Sequence, residues 1–526
     1  MILVAPALGG LVILTGALLA QRTLPKIAGT HRIPNLHGPV TVARDRRGVP
    51  HLYASDDHDL YIAQGYVTAQ DRLWQILLRR QAARGQLTDW LGTNARPTDQ
   101  ALGRENLMAQ AGAYLPTLEV DTLDALQAYA IGVNACIQTC PVPPELTLLK
   151  LQGKLGQIEP WTATDSMALA LLALWAQEQS PELRQELLAR VGIARTQDLW
   201  PQDAILPHFT LPTDPAVRQV MQLGGLGLLR DEQVAASVPG LPAPWYMTSL
   251  HSEGTTLAGG TWPGLPGVMV KQALPPSPSP YQGEKSVLIK HLLTLPPEDW
   301  LQIRVHGMLR QWDFDLSGKT RLGNASAAVY QTWTWYLARD VLQDELGPEL
   351  LARYWATGLA PEMLARLVER PTDPWWDDAT TPRLETRDDL LRRTYAEALD
   401  YLGRHYGDLH TIWEWDTMHA AQFDHALGAM GALARQLNRT VKLGDDAPFE
   451  PTRPGSSYDT FRPVLIPSLQ INQNRFSLAG GQSGNPFSPH YADLLALWAR
   501  GEFVRLQDAT RPEDMKDVEG VLVLAP

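Results

Sequence analysis

The sequence predicts an α+β protein, largely helical with a reduced β component, preceded by an apolar segment long enough to cross a membrane. Three observations carry this expectation. Apolar residues recur at helical spacing through two long tracts, residues 100–180 and 286–440. The stretch Val42–Gly92 reads as a strand, a turn and a helix with one buried face. Ile2–Ala20 is an uncharged apolar run of about 19 residues, enough to span a bilayer.

Taken in order, the first element is that run. Only the start methionine precedes it, and Leu18 stands where a cleavage site prefers a small residue before Ala20. A retained N-terminal anchor is therefore expected rather than a cleaved signal peptide, with membrane lipid as its partner. Arg22, Lys26 and Arg32 follow it and, by the positive-inside rule, pull that side toward the cytoplasm. In the next element, Val42 and Ala43 lead into Arg46-Arg47-Gly48-Val49-Pro50, where Gly and Pro punctuate a turn. Ser55-Asp56-Asp57 signals a helix start. Tyr66, Ala69, Leu73, Ile76 and Leu77 then follow helical spacing, with Arg72, Arg79 and Arg80 among and after them, and Gly85 and Gly92 bound the next turns.

Further along, Leu123, Leu126, Tyr129, Ala130 and Val133 form one helical face. Cys136 and Cys140, the only cysteines, end that helix; their spacing accommodates either a local disulfide in an oxidising compartment or two buried thiols. Neither has the companions of a zinc site. Thr162–Ala176 is expected to be a helix capped by Thr164 or Asp165. Weaker helical patterns broken by Pro207, Pro212 and Pro215 follow, then Gly224-Gly225-Leu226-Gly227. A Pro/Ser linker, Pro275–Pro280, precedes a helical second half that resumes near Ser286. There Ala325–Leu346 puts Tyr330, Trp333, Leu337 and Val341 on one face. This divides the chain into residues 1–21, 22–240, 241–285 and 286–526.

Composition narrows the function. A net charge of -12 without a basic run argues against nucleic acid as a partner. Hydrophobic residues at 44% and charged residues at 19% describe a folded chain. The 17 tryptophans are read as core before ligand site.

Several stretches together carry a resemblance. Asp45-Arg46-Arg47-Gly48-Val49-Pro50-His51, Gly65–Gln75 and Arg79–Leu87 follow one another near the start. Tyr129–Ala135 and Glu159-Pro160-Trp161 come next, then Pro244-Trp245-Tyr246-Met247 with Leu257–Val268. Trp413–His419, Phe423–Gly428 and Gly480–Asp493 with Leu497–Gly501 close the series. In this order they resemble the penicillin acylase family of N-terminal-nucleophile amidohydrolases. The resemblance implies a shrunken penicillin-acylase-like body with a truncated β core, working outside the cytoplasm.

It also implies a catalytic centre that the sequence lacks. In the family the second chain, freed by self-cleavage, begins with Ser-Asn or a near variant. The serine hydroxyl attacks the amide while its own α-amino group is the base. Here Val234–Pro242 precedes the later segment, with no Gly-Ser-Asn and no room for a nucleophile hairpin. The only Gly-Ser step, Gly455-Ser456, lies far downstream. Gly-Thr steps at Gly29-Thr30, Gly92-Thr93, Gly254-Thr255 and Gly260-Thr261 do not open a strand at the family's position. The region bearing the family's oxyanion Asn is replaced by the Pro/Ser linker. Losing one such donor costs on the order of a hundred- to a thousandfold in turnover.

Ser483 and Ser488 stand near His490 and Asp493, but Gly-Gln-Ser-Gly is not a nucleophile elbow. His419 and His425 are read as structural. No catalytic, cofactor-binding or metal-ligating residue is assigned, and no cofactor is expected. The expected function is that of a non-catalytic, membrane-anchored homologue serving as accessory subunit of a membrane assembly, its body extracytoplasmic. Two alternatives stand beside it. One is an active amidohydrolase, cleaving a penicillin, an acyl-homoserine lactone or a similar amide with an unrecognised nucleophile. The other is a binding protein for an acyl or aromatic small molecule.

Overall fold

The computed structural model describes residues 21–177, 179–200, 246–252, 255–261, 264–266, 281–314, 320–355, 357–378, 380–407, 413–423, 425, 438–442, 461–464, 475–500, 502–507 and 509–526. The run Ile2–Ala20 and the stretch Val234–Pro242 lie outside these residues. Among the described residues no helix is long and apolar enough to cross a membrane.

The described strands are β1 (Gly29–Arg32), β2 (Val40–Asp45), β3 (Pro50–Tyr53), β4 (Tyr246–Ser252), β5 (Thr255–Thr261), β6 (Ala420–Phe423), β7 (Arg439–Lys442), β8 (Phe461–Val464), β9 (Arg475–Leu478), β10 (Val504–Arg505) and β11 (Val518–Ala525). Six of them form the main sheet in the order β1-β11-β2-β3-β4-β5. Strand β11 is thus interior, parallel to the edge strand β1 and antiparallel to β2. β3 runs parallel to β4, so strands distant in sequence complete one sheet. Register places Leu522, Val42, Leu52 and Leu250 side by side across four strands, and all four are buried. That row faces the helices and begins the first core.

The long helices are α1 (Asp57–Ala83), α2 (Val120–Thr139), α3 (Ala163–Gln177), α4 (Gln179–Leu199), α5 (Arg321–Leu346) and α6 (Arg387–Tyr406). Asp56 caps α1 as its sequence suggests, accepting from the backbone N–H of Asp59 at 2.8 Å. Almost every residue of α1 is buried, so the expected single apolar face is in fact a helix buried nearly all round. α1 and α2 cross where each carries a glycine. A Cβ on Gly65 would lie 2.1 Å from the Tyr129 carbonyl oxygen, and one on Gly132 would lie 1.9 Å from that of Ile62. The two motif glycines therefore let the helix backbones touch. Cys136 and Cys140 form a disulfide across the last turn of α2.

The cap of α3 differs from expectation. Thr162 is the capping residue: its hydroxyl accepts from the Asp165 N–H at 3.3 Å, and the Asp165 carboxylate accepts from the Thr162 N–H at 2.8 Å. Asp165 closes a reciprocal box from the third helical position, which is why it looked like the cap itself.

α4, α5 and α6 gather a second core, rich in tryptophan. Trp333, Trp375, Trp376, Trp413 and Trp415 are each less than 2% exposed or at that limit. Trp333 donates its indole N–H to the Thr394 hydroxyl at 3.1 Å, so the polar edge is satisfied inside the core.

Candidate functional site

The motif stretches of the two halves meet at one place, a break in α1 at Arg72. Its backbone leaves helical geometry, with φ -133° and ψ 21°. From there the buried Arg72 guanidinium donates through Nε to the Gln482 carbonyl oxygen at 2.8 Å, and through a terminal nitrogen to the carbonyl of Gly481. The carbonyl of Asp71 accepts from the Gly484 N–H at 2.8 Å, and the Gln75 amide donates to the Gly484 carbonyl at 3.3 Å. Arg44 joins β2 to the same helix, donating to the Asp71 carboxylate at 2.7 Å and the Gly48 carbonyl at 3.0 Å. Sequence reasoning missed Arg72 as an organiser, because nothing local marks a helix break without Gly or Pro.

Gln482 does a second job. β3 pairs with β4 from His51 opposite Ser249 onward, so Met247 lies past the start of β3. The Gln482 side chain fills that place. Its oxygen accepts from the Met247 N–H at 3.0 Å and its amide donates to the Met247 carbonyl at 2.6 Å. A side-chain amide thereby completes a sheet edge deep in the protein, where unpaired backbone groups would be costly.

His490 anchors the other end of the loop. Its Nδ1 lies 3.0 Å from the Asp493 carboxylate and its Nε2 lies 2.8 Å from the Glu519 carboxylate. The hydrogen bond that the ring donates to Asp493, then that to Glu519, raises the imidazole to about 9, so the ring is cationic at neutral pH. The ring packs under the turn at Gly48, whose φ is +74°; a Cβ there would lie 2.7 Å from the imidazole.

This geometry answers the Ser/His/Asp possibility. Ser483 Oγ accepts from the Asn485 N–H and Ser488 Oγ accepts from the His490 N–H, both at 3.1 Å. With a carboxylate on each ring nitrogen, His490 presents no nitrogen to either serine. A general base for serine needs one. The four residues come together, but as a brace. Of the Gly-Thr steps, Thr255 opens β5 and Thr30 lies within β1.

The two candidate histidines separate. His419 is buried and stacked on Trp415 with ring centroids 4.5 Å apart. His425 is buried with its Nε2 3.0 Å from the Glu145 carboxylate. A grouping that sequence reasoning did not foresee is His37, Asp56 and Asp59 at the start of α1. Asp59 accepts there from the backbone N–H groups of His37 and Gly38, at 2.9 and 2.8 Å, which is loop anchoring.

Beside the Arg72 break lies a cavity of about 40 Å3. Arg72, His425, Arg439, Ser483 and Tyr491 line its polar part, and Phe423, Ala479, Ala492 and Leu495 its apolar part. The Arg439 guanidinium lies over the Tyr491 ring, 5.2 Å from its centroid. Burial pushes the Tyr491 phenol up to about 12, so it is neutral at ordinary pH.

Comparison with known proteins fits this convergence of motifs. A sequence model of the family described as penicillin amidase matches residues 39–270 and 283–513. The chain is 38% identical over 150 residues to penicillin acylase 2 proenzyme of a Pseudomonas species, covering 28% of this chain and 19% of that one. It is 29% identical over 230 residues to acyl-homoserine lactone acylase QuiP of Pseudomonas aeruginosa, covering 39% and 27%. It is 31% identical over 142 residues to penicillin G acylase of Escherichia coli, covering 27% and 16%. The chain therefore aligns with less than a third of the length of these relatives. Among solved structures, a thermostable penicillin G acylase from Alcaligenes faecalis aligns with TM-score 0.26 and 25% identity, over 34% of this chain and 100% of that one. Since the family match runs through both halves and takes in strands β2 to β10, the broken helix and the bracing loop, the chain belongs to the penicillin amidase family.

Proposed function

We propose that this chain is a non-catalytic member of its family, acting as an accessory or structural subunit of a membrane assembly. The observation that carries the reading is the use to which the loop residues are put. Ser483, Ser488, His490 and Asp493 spend their hydrogen bonds on the loop and on Glu519. Activation of a serine needs a base free to take its proton. Upstream of β4 the sequence holds no Gly-Ser-Asn. What is retained is scaffold: the Gly65–Gly132 crossing, the Arg72 break and the Gln482 edge. A fold kept for its surface is the simplest use of such a set.

Attachment to the membrane rests on the apolar run Ile2–Ala20. The Cys136–Cys140 disulfide supports a body outside the cytoplasm, since disulfides persist in oxidising compartments.

One observation favours a second reading, amide hydrolysis. Thr255 opens β5 directly after Gly254, and cleavage there would free a threonine with its own amine. The relatives named above are acylases of penicillins and acyl-homoserine lactones, which sets the substrates to try. Purified full-length protein incubated with penicillin G and an N-acyl-homoserine lactone is expected to show no saturable hydrolysis. Extraction in mild detergent is expected to bring a partner at near-stoichiometric amount. Turnover abolished by Thr255→Ala would establish the second reading, and a solitary monomer would remove the subunit role.

A further inference from the structure

The chain is pinned to the body directly after its apolar run. Ile2–Ala20 runs straight into Gln21, and Thr23 is held by Asn485, whose amide donates to the Thr23 carbonyl at 3.0 Å and to its hydroxyl at 2.9 Å. A second pin follows at Lys26, whose carbonyl accepts from the Gln70 amide at 2.9 Å. The oxygen of the same Asn485 side chain accepts from the Phe487 N–H at 3.0 Å. One amide thus ties the exit of the apolar run to the loop Asn485-Pro486-Phe487-Ser488-Pro489. On that loop Phe487 is 43% exposed, and Pro489 is exposed as well.

Chain length restricts where this loop can lie. From Ala20 to Thr23 the chain reaches at most about 11 Å when fully extended. The headgroup layer beside each face of the hydrocarbon core is roughly 5–8 Å deep. A bilayer holding Ile2–Ala20 therefore brings Thr23, and with it the Asn485 loop, to the headgroups. The side chains there suit that place. Arg22 and Lys26 are exposed, and cations next to a span are drawn to anionic phosphates. The carboxylates of Asp493 and Glu519 flank the cationic His490 at the end of the loop, which offsets their charge. An exposed phenylalanine on a fixed loop gains by leaving water for the boundary between headgroups and acyl chains.

We propose that the loop 485–489 is the edge of the body that rests on the membrane, with Phe487 in the boundary between headgroups and acyl chains and with Arg22 and Lys26 at anionic lipid phosphates. This rests on the reading that Ile2–Ala20 holds the chain in a bilayer. It adds to that reading which face of the body meets lipid, and it does not depend on whether the chain hydrolyses an amide.

Depth-dependent quenching on the full chain tests it. Cys136 and Cys140, the only cysteines, are bonded to each other, so Phe487→Cys carries the single reactive thiol for a bimane label. The labelled chain is reconstituted into vesicles of phosphatidylcholine and phosphatidylglycerol, with and without a nitroxide near the headgroup end of the acyl chain. Emission at position 487 is expected to fall by about twofold or more, since a group roughly 5–10 Å into the boundary lies at the depth of that nitroxide. A label at Leu384→Cys, 75% exposed in the second half of the chain, serves for comparison and is expected to be quenched less. If Phe487→Cys does not fold, Pro489→Cys supplies the probe. Arg22→Gln with Lys26→Gln is expected to lower the quenching, and unchanged quenching would overturn the role given to these cations. A chain that fails to float with the vesicles overturns membrane attachment and this inference with it. A chain that floats while position 487 is quenched no more than position 384 overturns the inference alone. A label shielded from aqueous iodide in native membranes but not in the vesicles would give the loop a protein partner and overturn the contact with lipid.

Discussion

Replacing Gln482 with Met keeps the volume of the side chain and removes both of its hydrogen bonds to Met247. Those bonds are 3.0 and 2.6 Å long, and Gln482 is 1% exposed and Met247 0%. Each buried bond is worth about 1 kcal/mol net, and each backbone group left unpaired costs about 1–3 kcal/mol. Relaxation of β4 recovers part of this, so about 2–5 kcal/mol of local stability should be lost. The assay is native-state hydrogen exchange of the Met247 amide, which reports local opening, together with urea denaturation of the whole chain. Exchange at Met247 should speed up by about 30-fold or more, following 1.4 kcal/mol per tenfold. Gln482→Glu should be at least as damaging, because it sets a carboxylate against the Met247 carbonyl. The reasoning is refuted if Gln482→Met stays within about 0.5 kcal/mol of the wild type, the range of an ordinary surface change, with Met247 protection unaltered.

Three further outcomes are expected. Gly132→Ala should cost at least the upper part of the roughly 1–3 kcal/mol range for overpacking, because the new Cβ would meet a backbone oxygen at 1.9 Å; a urea midpoint measures it. Gly112→Ala, where nothing lies within 4 Å of the added carbon, should be neutral or stabilising, by about 0.5–1 kcal/mol at most. The His490 pairing raises its folded pKa to about 9, so its contribution is full below the ordinary histidine value, near 6.5, and is lost as pH rises through about 9. The stability difference between wild type and His490→Ala should accordingly shrink between pH 7 and pH 10, and a difference that grows over that interval would contradict the assignment.

What the sequence disclosed was mostly local. Asp56 stood before a helical pattern and does cap α1, and Tyr330, Trp333, Leu337 and Val341 do line a buried face of α5. The cap of α3 was placed two or three positions late, at Thr164 or Asp165 instead of Thr162, because the box partner and the cap are both good capping residues. The cysteine spacing left two states open, since four residues in a helix permit either; the fold shows the bond. The strand Val518–Ala525 was missed although its apolar run ends at a proline. Its interior place in the sheet, between β1 and β2, depends on strands nearly 500 residues away in sequence, and pairing over such a separation is invisible to periodicity. The candidate site was named only as a C-terminal signature. That Gln482 would stand in for a strand, or that Glu519 would take the second nitrogen of His490, is set by tertiary contact alone. Long-range register of that kind leaves no local pattern.

The claim that the family's fold is kept here without its acyl-transfer chemistry is tested most directly by the intact mass and N-terminal sequence of the mature protein. Self-cleavage to expose an N-terminal nucleophile is the step on which the chemistry of these hydrolases depends. One polypeptide spanning both halves, with no internal cut, is the expected result. Two fragments, the second beginning with Ser, Thr or Cys, and at Thr255 above all, would contradict it.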